Sequence, residues 1–198
     1  MAWNYIQNFN GLNTADLNGQ DSWSGDANFD VETSVVFEGA KAVSCATAAS
    51  KAVYRDLTAM TAGKMNIWMQ KSSTVGGEVF TILKSGANGR IYVKFNASGN
   101  IQAYNADASP AYDTLQAYVK DVWYKITIDF NATTGKFSVL VNDVIKITDA
   151  TMLNTGNIDR ISLETDGTGD TGYWDNIRPI NIESPAFIMT LASNWKNN

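Results

Sequence analysis

Side chains that alternate with a period of two constrain this chain more than any other feature. In MNIWMQ, residues 65–70, Met65, Ile67 and Met69 alternate with Asn66, Trp68 and Gln70. In RIYVKFN, Ile91, Val93 and Phe95 alternate with Tyr92, Lys94 and Asn96. In VWYKITIDF, Tyr124, Ile126, Ile128 and Phe130 share one parity, and Lys125, Thr127 and Asp129 the other. Successive side chains of an extended backbone point to opposite faces, so each run reads as a strand with one face on a core. Turn formers separate the runs: Gly76-Gly77, Asn88-Gly89, Ser98-Gly99-Asn100 and Thr134-Gly135. KFSVLVN and VIKIT, hinged at Asn142-Asp143, read as a hairpin. About a dozen such strands at roughly ten-residue spacing, and no convincing helical stripe, predict an all-β, two-sheet antiparallel sandwich.

Composition narrows what such a sandwich can do. The 198 residues contain no repeat or linker, which predicts one domain over 1–182 and a tail over 183–198. A charged share of 18% beside many aromatics is the composition of a packed globule rather than a disordered chain. A net charge of −5 without any basic run argues against nucleic acid as a partner. No stretch approaches the ~20 apolar residues of a membrane-spanning helix. The chain has no histidine, which excludes Ser-His-Asp and Cys-His catalysis and His-ligated zinc. Cys45, the single cysteine, lies in the strand-like VSCA and reads as a small buried hydrophobe. The opening MAWNYIQNFNG lacks the basic start and apolar run of a signal peptide. The expectation is a product kept in the cytoplasm or released by lysis.

The order of segments carries a resemblance. YIQNFNG is followed by a loop with DSW, then FEGAKAVSC, then VWYKITIDFNATTGKFSVLVND, RISLETDG and GYWDNIRP. This series resembles the concanavalin A-like lectin/glucanase superfamily, and within it the laminin G-like jelly rolls. The resemblance implies one convex and one concave sheet. It also implies a calcium site with Asp175 as carboxylate ligand, joined by Glu38, backbone oxygens near Gly39 and Lys41, and Asn8 or Asn10. Such a cation would tie the chain ends together, and Ca²⁺ accepts six to eight hard oxygens from several segments. The first strand offers amides instead of further acids, however. Polar capping by Asp175, with or without Lys41 or Arg178, is the competing reading, and a catalytic role is a third. Asp166 and Asp170 in TDGTGD read as a solvated turn.

The superfamily includes binding modules, glucanases, lyases and structural domains, so activity must come from residues. Its retaining glucanases carry a Glu-x-Asp-x-Glu strand, because two carboxylates about 5–5.5 Å apart act as nucleophile and acid. No such triplet occurs here; the nearest approach is Asp30-Val31-Glu32. A lyase of Tyr, Gln and Arg chemistry stays open. A binding face is easier to supply. Opposite the core, Trp68, Gln70, Tyr92, Lys94 and Asn96, with Gln102 and Tyr104 from IQAYN, would offer rings to sugar C–H groups and amides to hydroxyls. The leading expectation is therefore a non-catalytic, lectin-like phage virion surface or decoration protein. Its partners would be other virion proteins, further copies of itself, or polysaccharide, docked through MAWNY and the tail from Phe187 to Trp195. A soluble carbohydrate-binding module is the alternative, and a polysaccharide lyase or glycoside hydrolase the second.

Overall fold

The structure is a computed structural model that describes residues 3–109 and 111–180. The expected docking tail, 183–198, lies outside the described residues. Fourteen strands are formed: β1 (Trp23–Gly25), β2 (Asp30–Glu32), β3 (Ala42–Ala46), β4 (Lys51–Met60), β5 (Ala62–Lys71), β6 (Glu78–Ser85) and β7 (Asn88–Phe95). Then come β8 (Asn100–Tyr104), β9 (Tyr112–Ala117), β10 (Tyr124–Asn131), β11 (Lys136–Val141), β12 (Val144–Thr151), β13 (Ile158–Asp166) and β14 (Thr171–Pro179). They make two seven-stranded antiparallel sheets. Sheet A has the order β1-β4-β13-β6-β7-β8-β9, and sheet B the order β12-β11-β10-β5-β14-β3-β2.

The predicted alternation places the core. Met65, Ile67 and Met69 of β5 and Ile126, Ile128 and Phe130 of β10 are buried from sheet B, facing Ile91, Val93 and Phe95 of β7 in sheet A. Cys45 is buried with them, and burial pushes its thiol up to about 11, so it packs and does not react. The β11–β12 hairpin turns at Asn142 and Asp143, both at positive φ (50° and 66°), the backbone a two-residue hairpin with strand-matched twist requires.

β14 departs from simple alternation. Asp175 pairs with Trp68, yet Arg178 pairs with Asn66, so β14 spends three steps where β5 spends two. The extra residue is Asn176, at φ 55°. Asparagine tolerates this left-handed backbone better than most residues, and the bulge returns Ile177 to the core. Ile177 and Gln7 then exchange both backbone hydrogen bonds, each 2.8 Å, which binds the N-terminal segment to the closing strand. Trp3 corrects an expectation here. It is 4% exposed and meets Phe130 edge-on at 6.5 Å, so this residue of MAWNY is core rather than docking surface.

Candidate functional site

The two sheets turn very different outer faces to their surroundings. On sheet A, register brings Tyr54, Ser162 and Ile82 into one cross-strand row that continues to Tyr92. The neighbouring row runs Glu164, Phe80, Lys94, Gln102, Thr114. Tyr104 pairs with Tyr112 at the far side. The tyrosines are half-exposed and contact one another: Tyr92 and Tyr104 at 6.0 Å between ring centroids, Tyr104 and Tyr112 at 5.2 Å and edge-on. Lys94 Nζ lies 4.1 Å from the Tyr112 ring centroid and donates to both oxygens of Glu78, at 3.0 and 2.9 Å. Lys84 Nζ stands 2.5 Å from Glu164 Oε1, a close ionic contact without hydrogen-bond alignment. Burial pushes the Tyr112 phenol up to about 12, and burial, with Glu164 and Tyr104 nearby, also raises Tyr92. Gly89 lets Tyr92 lie along its own strand, because a Cβ there would sit 1.9 Å from the Tyr92 hydroxyl.

Glu78 and Glu164 were not visible as a pair in the sequence. They stand on adjacent strands, and Glu164 pairs with Phe80 two residues from Glu78. That diagonal relation corresponds to about 7–8 Å between backbones. Only the strand order could reveal it, since 86 positions of the numbering separate the two residues.

Sheet B covers the part of its outer face around Trp68 with its own loop. Phe37, between β2 and β3, stacks on Trp68 at 3.6 Å and 16°, and Trp123 meets both Phe37 and Tyr173 edge-on. Beneath this loop lies Asp175, wholly buried. Its Oδ2 accepts the backbone N–H groups of Phe37 (3.1 Å) and Glu38 (3.0 Å), while Oδ1 has no partner. Burial pushes its carboxyl up to about 6, against the opposing pull of those two amides.

The seven glycan candidates are thus divided. Tyr92, Lys94, Gln102 and Tyr104 share the face of sheet A, whereas Trp68 and Gln70 belong to sheet B, with Gln70 buried. Asn96 is spent on the β7–β8 turn, where Oδ1 accepts the amides of Ser98 and Asn100, each at 2.9 Å. Alternation assigns a residue to one side of its strand but does not say which sheet the strand joins.

Four of the six expected metal residues gather at one cavity, and Asp175 and Lys41 do not line it. Asn8, Asn10, Glu38 and Gly39 line one cavity of about 410 Å³ with Asn176 and Arg178. Their donors are engaged, however. Asn10 Oδ1 accepts the amides of Ala40 (2.7 Å) and Lys41 (2.9 Å), and Lys41 Nζ donates to the Leu12 carbonyl. Glu38 accepts from the Asn176 amide and faces Arg178 at 3.6 Å. Among the described residues no three acidic, Cys or His side chains converge. This donor set suits a polar fastening of loop to strand, and the guanidinium in the cavity opposes a dication. Only the unpartnered Asp175 Oδ1 favours one, so the donors do not fit a six- to eight-oxygen cage.

Asp170 overturns its reading as a solvated turn. Its side chain and that of Lys71 are both fully buried and form an ion pair. Lys71 Nζ also donates to the carbonyls of Ser73 (3.1 Å) and Val75 (3.0 Å).

No protein-family model and no curated protein matches the chain. Solved structures do. A Crh5 transglycosylase is 14% identical with a TM-score of 0.62, over 90% of this chain and 84% of that one. A Bacillus licheniformis beta-glucanase is 10% identical with a TM-score of 0.59, over 88% and 96%. A sialidase is 10% identical with a TM-score of 0.71 over 90% of this chain, which spans 18% of the sialidase. At such identities the likeness shows a shared concanavalin A-like sandwich. It also corrects the expectation of a non-catalytic chain, because the fold is matched by carbohydrate-active enzymes. The virion placement rests on the sequence reading alone.

Proposed function

We propose that this chain is a polysaccharide-cleaving enzyme that hydrolyses a glycosidic bond on the outer face of sheet A. One observation carries the reading: two carboxylates, Glu78 and Glu164, stand one diagonal step apart on a half-exposed, tyrosine-lined sheet face. The enzymes that share the fold support it as analogues.

Glu78, with Lys94 bridging both its oxygens, is the base that draws a proton from water. Glu164, whose lysine contact engages one oxygen, gives a proton to the leaving glycosidic oxygen. The water oxygen bonds to the anomeric carbon as the C–O bond breaks. The two side chains reach toward different lysines, one on β7 and one on β6, which favours the wider carboxylate spacing of an inverting mechanism over the 5–5.5 Å of a retaining one. Tyr104 and Tyr112 provide ring faces for the sugar, and Gln102 reads hydroxyls.

The test is incubation with a polysaccharide panel, scoring new reducing ends and the anomer first formed. Glu78→Gln and Glu164→Gln should each lower the rate by at least about 100-fold with the fold intact. Full activity in both variants would refute the assignment.

A further inference from the structure

Each exposed cation on the outer face of sheet A is held by a carboxylate. Lys94 is held by Glu78 and Lys84 by Glu164. Arg160 Nε donates to Asp56 at 2.6 Å while its guanidinium lies 3.9 Å over the Tyr54 ring. Arg90, of the same strand parity, is 1% exposed and donates through Nε to the Asn154 carbonyl at 2.6 Å. At the margin, Lys51 is taken by Asp26. Three cations and three carboxylates therefore cancel across the centre of the face, and Asp166, directly opposite Glu78, adds a carboxylate met only by the backbone amides of Ser50 and Gly167.

From this pairing, and resting on the glycan-cleaving reading above, we propose that the polysaccharide taken by this face is uncharged. A uronate or sulfated polymer would have to draw a half-buried lysine away from its glutamate, leaving that carboxylate in an environment already short of water. A polycationic glycan meets the mirror problem at Glu78, Glu164 and Asp56, and finds only Asp166 unpaired. A neutral chain displaces nothing: its C–H faces lie on Tyr104 and Tyr112, and its hydroxyls meet Gln102, Thr114 and the outer edges of the carboxylates. The same argument weighs against β-elimination on this face. That reaction breaks the bond to O4 by taking a proton from the carbon beside a substrate carboxyl, and no exposed cation of this face is unpaired to meet that carboxyl.

The experiment is native gel electrophoresis of the full chain through laminarin, galactomannan, arabinoxylan, alginate, polygalacturonate, hyaluronan or chitosan, alongside the cleavage assay. At least one neutral polymer should slow migration, equally at about 0.05 and 0.5 M NaCl, while the charged polymers should not. Retardation by a charged polymer that salt abolishes overturns the neutral assignment and leaves glycan cleavage standing. No retardation by any polymer and no product overturns both. Glu78→Gln frees Lys94 and should raise apparent affinity for alginate about tenfold at low salt. A variant as indifferent to alginate as the wild type would show that pairing is not what keeps anions away, and would sink the inference.

Discussion

The outer faces of the two sheets use the same ingredients, aromatic rings beside carboxylates, to opposite ends. On sheet B, Phe37 lies flat on Trp68 and its loop brings two amides to Asp175. The chain has supplied its own occupant for the Trp68 ring and the Asp175 carboxylate. On sheet A, Tyr92, Tyr104 and Tyr112 touch only at edges and angles, and their carboxylates are balanced by lysines instead of backbone. The rings of both faces are half-buried, and the difference is that Phe37 already lies flat on Trp68 while no ring lies flat on Tyr92, Tyr104 or Tyr112. The lesson is that an aromatic residue beside an acid says little until one knows what covers it.

Removing rings from each face in turn should separate the two most clearly. Tyr104→Ala with Tyr112→Ala should lower cleavage by about 100-fold or more, whereas Trp68→Ala should leave the rate within about twofold of wild type. Equal losses would erase the distinction between the faces.

Next comes Asp175. Its folded-state carboxyl titrates near 6, above the ordinary 3.8, so the native state binds this proton more tightly than the unfolded chain does. The resulting stabilisation is complete below pH 3.8 and is lost as pH rises through 6, a span of up to about 3 kcal/mol. Asp175→Asn keeps an acceptor for the Phe37 and Glu38 amides without the charge. It should melt several degrees above wild type at pH 7.5, and the gap should close at pH 4. A variant that melts below wild type at pH 7.5 would instead mean that a cation meets the anion.

Stability gives the third contrast. Trp68→Ala removes the Phe37 stack and should cost about 2 kcal/mol by chemical denaturation, while Tyr104→Ala should cost under about 1 kcal/mol. The smallest effect concerns metal. With its donors already engaged, the cavity beside Asn8, Asn10 and Glu38 should bind calcium too weakly to move the wild-type melting temperature by more than about 1 °C at millimolar Ca²⁺. A larger, chelator-reversible shift would restore the calcium expected from the sequence resemblance.

Much of the architecture could be read directly from residues. Met65, Ile67 and Met69 against Trp68, or Ile91 and Val93 against Tyr92, need only the geometry of an extended chain. The Asn142-Asp143 hairpin needs only local turn chemistry. What escaped was long-range. Nothing near Trp68 says that β5 lies between β10 and β14, and nothing near Tyr92 says that β7 lies in the other sheet. Asp170 looked solvated because its partner, Lys71, is distant along the chain. Asn176 looked like one more strand residue, since a bulge is defined by the strand opposite it. Glu78 and Glu164 looked unrelated for the same reason.

The pairing of Gln7 with Ile177 has a consequence for how this sandwich can be carried. Gln7, the first residue to pair with a strand, lies about 5 Å from Ile177 near the end of the last one, so the polypeptide joins and leaves the described sheets close together. A fold with that closure resembles a bead on a pinched thread. It can be grafted into a surface loop of another protein without prising that loop apart, and cutting its chain at an exposed turn such as Asn142-Asp143 while joining the old ends should leave both sheets whole.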